Sequence, residues 1–366
     1  LCLELDKKYK KETNKFIDQS NLQKQTKKCV HLSAKNIHHI VHKYLRSRDA
    51  MFRSIKVKHK DSNKVKLPYK QKTYFITGWD YQSVKVDYDK NIIYLAKGNV
   101  IIDGKEKIQK PVKCCCKIIP QNIVEVELKY KDKLYLAIKY KEDKEYLQIK
   151  SDNVASIDLG EIHAITSIDN NKNSVIITGR KLRSIKRLRN KEQGKLRNKL
   201  SKCTKGSRNY KRYMKALNKL KTKTDNQIND CVHKITKHYV DYCLKNNISK
   251  VYYGDLDNCS RNTKNRRKTG RVVRQKLSQW CFGQIILQLQ NKLNRYNVQL
   301  VKISEAYTSQ KCPSCKKRNK PKGRNYVCKK CNYKQHRDIV GAINILNDNN
   351  NYHIERYYTL KYLQIA

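Results

Sequence analysis

Four cysteines stand in two C-x-x-C pairs, Cys312-Pro-Ser-Cys315 and Cys328-Lys-Lys-Cys331, with twelve residues between the pairs. Each short turn lets two sulfurs face one ion, and tetrahedral zinc takes four thiolates at about 2.3 Å. Such a closed four-sulfur site is structural, so one zinc ion is expected there without a catalytic part. A second set of residues is acidic. Asp158 ends the apolar run "ASIDLG", and Asp338 opens "HRDIVGAINIL". Between them lie Asp255 in "VYYGDLDN" and Glu305 in "SEAYTSQ". Two-metal phosphodiester cleavage uses about three carboxylates around cations ~3.5–4 Å apart. Taken singly, each aspartate reads equally well as a cap or a surface residue.

The chain around these residues is strongly basic. Its 366 residues carry 83 Lys and Arg against 31 Asp and Glu, a net charge of +52. Charge of that size points to a polyanionic partner, nucleic acid above all, rather than to solubility alone. It is also clustered. Residues 180–223 hold nineteen Lys and Arg and one acid, and residues 261–276 hold eight and none. In the second cluster Arg261, Lys264, Arg266, Arg267, Lys268 and Arg271 are the candidate phosphate contacts. No apolar run approaches the ~20 residues of a membrane span, and the start has no signal-peptide pattern. A soluble, intracellular protein is expected. Beyond the two C-x-x-C pairs, the remaining ten of the fourteen cysteines suit free thiols in a reducing compartment. The first residue is Leu1, not Met, so a truncated start is expected.

Hydrophobic periodicity places the elements. Residues 1–60 read as basic helices, with Ser33 as an N-cap before Ile37, Ile40, Val41, Tyr44 and Leu45. Residues 61–150 alternate and carry β-branched runs, including a hairpin at "YKDKLYL" and a last strand at "YLQIKS", and read as a small antiparallel sheet or barrel. Three strands follow within 151–179. Helices are then expected at 180–200 and 207–223, packed by Leu182, Ile185, Leu188, Leu196, Leu200, Met214, Leu217 and Leu220. Further elements are a helix at 226–246, a strand at 249–255, a helix at 276–296, a strand at 298–303 and a final helix from His336 to 348. The tail after 347 is polar and Asn-rich. Trp280 sits in an amphipathic pattern and reads as core.

In order and spacing, "SIDLGEIHAITSID", "VYYGDLDN", "SEAYTSQKCPSCKK…YVCKKC" and "HRDIVGAINIL" resemble the three RuvC motifs and the zinc ribbon of the TnpB/Fanzor family of transposon-associated, RNA-guided DNA endonucleases. The match runs through residues 154–347. It implies an α/β RNase H-like (RuvC) core over 151–304 that includes the basic hairpin 180–223. A zinc ribbon for target nucleic acid would be inserted at 305–335, the last RuvC helix would span 336–348, and a tail 349–366. Before the core, the resemblance implies a helical recognition segment over 1–60 and a wedge-like β-barrel domain over 61–150. In that fold the first strand is central and the last helix packs beside it, bringing Asp158 and Asp338 together. The family's usual second-motif glutamate would fall at 254, where this chain has Gly254. Some relatives use a glutamate about fifty residues later, which here is Glu305. Strands 249–255 and 298–303 should be parallel neighbours, so Glu305 could reach the vacated place. Asp255 is one residue along and should face the other way.

The resemblance therefore implies a Mg²⁺-dependent endonuclease in which Asp158, Glu305 and Asp338 hold two Mg²⁺ ions. An omega-type guide RNA and target DNA would be its partners, the chain acting as a monomer without membrane. Its place would be the nucleus for a eukaryotic or large-DNA-virus source and the cytoplasm otherwise. The small residues Gly341 and Ala342 keep the last helix able to approach the sheet closely. His336 and Arg337 would touch the scissile strand or merely cap the helix. Two other readings stay open. One is a nuclease-inactive binding relative, for which Gly254 speaks. The other is a transposase of the Asp-Asp-Glu type, built on Asp158, Asp255 and Glu305, which leaves Asp338 and the ribbon unexplained.

Overall fold

A computed structural model describes residues 1–27, 32–58, 67–68, 76–102, 105–130, 133–256, 270, 275, 279–304, 307–321, 323–350 and 352–365. The chain divides into two units, Leu1–Lys144 and Glu145–Ala366. The segments expected to be helical (1–60) and β (61–150) fall almost wholly within the first.

In that first unit, α1 (Cys2–Thr13), α2 (Gln19–Thr26) and α3 (Ala34–Lys58) precede eight short strands. Ser33 caps α3 as expected, its Oγ accepting from the Asn36 N–H at 3.2 Å. Ile37, Val41 and Leu45 repeat every four residues and pack with Ile17 and Leu22 of the α1–α2 segment. The strands form three small antiparallel sheets. They are β1 (Thr77–Asp80) with β7 (Ile123–Tyr130) and β8 (Leu134–Tyr140); β2 (Val84–Asp87) with β3 (Ile92–Leu95) and β6 (Val112–Cys115); and β4 (Asn99–Ile102) with β5 (Lys105–Ile108). Trp79, Ile93, Leu95, Ile119 and Val126 make their core. The strand expected at "YLQIKS" does not form; residues 141–150 are irregular.

The second unit is organised by one sheet in the order β13-β12-β9-β10-β11-β16. Here β9 (Asn153–Asp158), β10 (His163–Asp169) and β11 (Asn173–Thr178) form an antiparallel meander. β12 (Ile248–Gly254) joins β9 in parallel, and β13 (Gln299–Ile303) joins β12 in parallel. The first strand is thus central, as the RNase H-like expectation required. The tail, which gave no sequence signal, adds β16 (Thr359–Leu363) parallel to β11.

The sheet buries both faces. Ala155, Ile157, Ile165, Val175 and Ile177 pack against α5 (Arg208–Lys245) and α6 (Phe282–Leu293), through Ile228, Val232, Ile235, Ile285 and Leu289. Trp280 belongs to this core. The alternate residues Val154, Ile168 and Ile176 pack against Ile339, Ala342, Ile343 and Leu346 of α7 (Arg337–Asn350). Those four positions are spaced three and four apart, one helical stripe. The helices expected at 207–223 and 226–246 are one. Thr224 bonds its hydroxyl to the Leu220 carbonyl at 2.9 Å within the turn, and no Gly or Pro interrupts the helix. The helix α4 (Arg180–Ser201) lies against α5, tied by Arg189 to Asp225 at 3.2 Å. The helix expected at 276–296 is α6 and one 3-10 turn, Asn294–Tyr296. No helix among the described residues is long and apolar enough to cross a membrane.

Candidate metal centres

Strand alternation decides where Asp158 goes. Ala155 and Ile157 face α5 and α6, so Ser156 and Asp158 face α7. Ser156 Oγ donates to the Ala342 carbonyl at 2.6 Å, holding strand and helix together. Next to it, the helix carries Gly341. A Cβ there would stand 2.5 Å from Asp158 Oδ2, so the missing side chain is what makes room for the carboxylate. Asp338 lies three residues earlier on the same helix, and residues so spaced share a face with Cβ atoms about 5–6 Å apart. Asp158 and Asp338, 180 positions apart in the chain, thereby come to one helix face.

Asp338 is held by two cationic or protic partners. His163, the first residue of β10, donates from Nδ1 to Oδ2 at 2.8 Å, and Arg324 donates to the same oxygen at 2.6 Å. Burial opposes the charge on Asp338. The His163 hydrogen bond and the positive charge of Arg324 outweigh it and hold the carboxyl below the ordinary range. It is ionised at neutral pH and able to ligate a cation. His336 accepts from the Asp338 N–H at 3.3 Å, the capping role anticipated for it. Burial, countered only partly by Asp338, lowers the His336 pKa. His163, His336 and Asp338 bring one potential ligand atom each within 4.8 Å of one another. The sequence reading missed His163 and Arg324. Neither sits at a telling spacing; a carboxylate-facing partner across a β ladder and another from a distant turn are tertiary products.

Asp255 faces elsewhere. Its Oδ1 pairs with Lys302 Nζ at 2.9 Å on an exposed surface. Gly254 is buried and lies opposite Ile303 in the parallel ladder, and Asp255 N–H donates to Ile303 O at 2.8 Å. The strand ends expected to be neighbours are so. Glu305, two residues beyond β13 in sequence, lies outside the described residues, as do Arg261, Lys264, Arg266, Arg267, Lys268 and Arg271.

The four cysteines form a separate centre. Their sulfurs lie within 4.8 Å of one another. Cys312 and Cys331 are 3.6 Å apart, and Cys315 and Cys328 3.5 Å. A tetrahedron with ~2.3 Å metal–sulfur bonds has sulfur–sulfur edges of about 3.8 Å, so the residues fit zinc. Two turns of the same form present them. The Lys316 N–H donates to Cys312 O, and the Asn332 N–H to Cys328 O, each at 3.0 Å. Lys316 and Asn332 both take left-handed backbone, φ 60° and 56°. Burial pushes the Cys312 thiol up to about 12. Cys328 is also disfavoured by burial, but the Cys331 and Lys330 N–H groups hold it down to about 6. Strands β14 (Asn325–Val327) and β15 (Lys334–His336) close the ribbon, and Tyr326 and Tyr333 pack with Val340 of α7. The ribbon is therefore seated on the helix that carries Asp338.

Of the nineteen basic residues in 180–223, all but Arg183, Lys186 and Arg189 are exposed. Their like charges cannot neutralise one another, so α4 and the start of α5 present a positive surface. Residues 137–260 match the family model described as probable transposase, OrfB_IS605, and residues 282–345 match the one described as Cas12f1-like, TNB domain. This chain is a TnpB-like family member. The structure of a Cas12f1-sgRNA-target DNA complex is similar to it with a TM-score of 0.62 and 15% identity, covering 94% of this chain and 78% of that one. At that identity the likeness establishes a shared fold and nothing further. A CRISPR-Cas12f ternary complex aligns with a TM-score of 0.44 and 15% identity over 95% of this chain and 78% of the other. The mini-RNA-guided endonuclease CRISPR-Cas phi3 gives 0.41 and 12%, over 69% of this chain and 57% of the other. No curated protein matches the TnpB-like chain.

Proposed function

We propose that this TnpB-like chain is an RNA-guided DNA endonuclease whose Asp158, Asp338 and Glu305 hold two Mg²⁺ ions. The observation that carries this reading is the approach of Asp158 to Gly341, on the face of α7 that also bears Asp338 with its carboxyl held below the ordinary range. When bound, the ions would supply an activated water and charge stabilisation of the leaving 3′ oxygen. The chain's own residues do the rest. His163 orients Asp338 and keeps it ionised. Arg324 stands at the same carboxylate oxygen, where its guanidinium can turn to a phosphate once a metal ion takes over the charge. Zinc on Cys312, Cys315, Cys328 and Cys331 keeps Arg324 in place by closing the ribbon around it.

The first unit would serve as recognition segment and wedge-like domain, and the exposed basic faces of α4 and α5 would follow nucleic-acid backbone. Guide RNA and target DNA are the partners this reading assigns, as in the Cas12f1 complex.

The deciding experiment measures cutting and binding on the same purified protein with its co-purifying RNA, in Mg²⁺ or Mn²⁺. Glu305→Gln should abolish cutting and spare binding, whereas Asp255→Asn should retain substantial cutting. The reverse result would remove Glu305 from the site. Wild-type protein that binds guide and target but never cuts would favour the inactive relative that Gly254 suggests.

A further inference from the structure

Residues 305–335 carry ten Lys and Arg and one acid. Within this segment one aromatic side chain is set apart. Tyr307 has φ +65°, a left-handed backbone that a bulky side chain adopts only under constraint. The constraint is visible. The Tyr307 carbonyl accepts from Gln310 N at 2.9 Å and Lys311 N at 3.2 Å. Buried Asn344, on α7, donates to the Thr308 and Lys311 carbonyls at 2.6 and 2.7 Å. The turn is thus bolted to the helix that bears Asp338.

The constraint does not bury the residue, which is 54% exposed. Instead the Arg318 guanidinium lies over it, 3.9 Å from the centroid. Among the described residues Arg318 has no carboxylate partner, and its own surface is open. An exposed cation–π contact stabilises no more than the left-handed tyrosine costs. The stack therefore gains the fold little by itself. It does leave a rigid π surface next to an unneutralised guanidinium, which is what stacks a base and pairs its phosphate.

We propose that Tyr307 and Arg318 form a platform for one unpaired base of a single DNA strand delivered toward Asp158 and Asp338. The base stacks on the Tyr307–Arg318 pair, and Arg318 also faces the adjacent phosphate. The inference rests on the nuclease reading for the direction of the strand. The stacking itself does not need cleavage and is tested without it.

The probe is an oligothymidylate with a single 2-aminopurine, bound to the full zinc-loaded chain with Ca²⁺ replacing Mg²⁺. Stacking quenches 2-aminopurine. Wild type and Tyr307→Phe should quench it. Tyr307→Gly tolerates the left-handed backbone, so it keeps the turn while removing the ring. It should lose the quench and weaken binding roughly tenfold. Arg318→Ala should lower the salt slope of binding by about 0.7. Wild-type quench and affinity in Tyr307→Gly would overturn the platform, as would wild type that does not quench. A protein that quenches in this way but never cuts keeps the platform and loses the nuclease reading. One that cuts while Tyr307→Gly still quenches does the opposite.

Discussion

Two clusters of this molecule look alike in composition: His163, His336 and Asp338 in the second unit, and His39, Glu125 and Glu127 in the first. Each brings three potential metal ligands within 4.8 Å. Their surroundings differ. Glu127 is already paired with Lys129 at 2.7 Å, Lys43 at 2.8 Å and Lys139 at 3.7 Å, and Glu125 with Lys139 at 2.6 Å and His39 at 2.6 Å. Those ammonium groups supply the charge that a cation would bring, in the geometry that docks α3 on β7 and β8. A Cβ at Gly78 would overlap the His39 ring, so the strand is shaped for this latch as well. Asp338 has one arginine, and it shares a helix face with a second carboxylate, Asp158. Ligand atoms at the right separation are therefore not enough. A divalent site needs carboxylates that are not already matched by cationic side chains, and of these two clusters the one at Asp338 carries fewer such partners.

The largest effect should separate the two clusters by activity. Asp338→Asn should lower cleavage at least about a thousandfold while shifting the melting temperature little, since the amide oxygen can still accept from buried His163 and half-exposed Arg324. Glu127→Gln should do the converse. It removes the buried charge that partly exposed Lys43, Lys129 and Lys139 share and should cost about 2 kcal/mol, read as a lower melting temperature with an unchanged Mg²⁺ requirement. Loss of metal dependence in Glu127→Gln would break the contrast.

Next comes Cys312→Ser, which should remove the zinc found by metal analysis and disorder the ribbon that brings Arg324 to Asp338. Cleavage should fall before charge-driven binding does. Folded wild-type protein without zinc would sink that assignment.

Gly341→Ala sharpens the geometry at a smaller scale. The added methyl meets the Asp158 carboxylate, so cutting should fall about ten- to a hundredfold with zinc content and guide binding intact. Full activity would mean that Asp158 does not work from its place against α7.

The smallest effect is in pH. Glu127 is disfavoured as a charge by burial, but hydrogen bonds from Lys129 and Lys43 hold its pKa down to about 2, from an ordinary 4.5. A lowered carboxyl pKa contributes stability that is complete above the unfolded value and is lost as pH falls through the folded one. The Glu127 contribution should thus be whole above about pH 5 and disappear between roughly 4.5 and 2. Acid melts of wild type and Glu127→Gln should converge in that window; parallel curves would mean the lysines do not hold the charge.

The four-cysteine cluster was legible from sequence because its members are local. Two C-x-x-C turns fix their own sulfur positions, and only a twelve-residue connection must fold back. Asp158 and Asp338 were legible as candidates, because an apolar strand ending in Asp-Leu-Gly and an apolar helix opening with Asp follow the periods of those elements. The central place of β9 came with the resemblance to the family's motif order. The continuity of α5 was misread, since the polar stretch at 223–227 imitates a break although nothing in it prevents a helix. The strand Thr359–Leu363 was missed because it lies at the edge of the sheet, mostly exposed, and has little apolar pattern of its own. What the sequence alone determined is the chemistry on offer: four thiolates at zinc spacing, acids at element ends, and a charge of +52 that selects a polyanion. What only the tertiary structure decided is which charges meet. Pairing β10 beside β9 puts His163 on Asp338, seating the ribbon on α7 adds Arg324, and the bare Gly341 admits Asp158. Electrostatic partnership depends on distances of a few ångströms between residues far apart in the chain, and no local period carries that information.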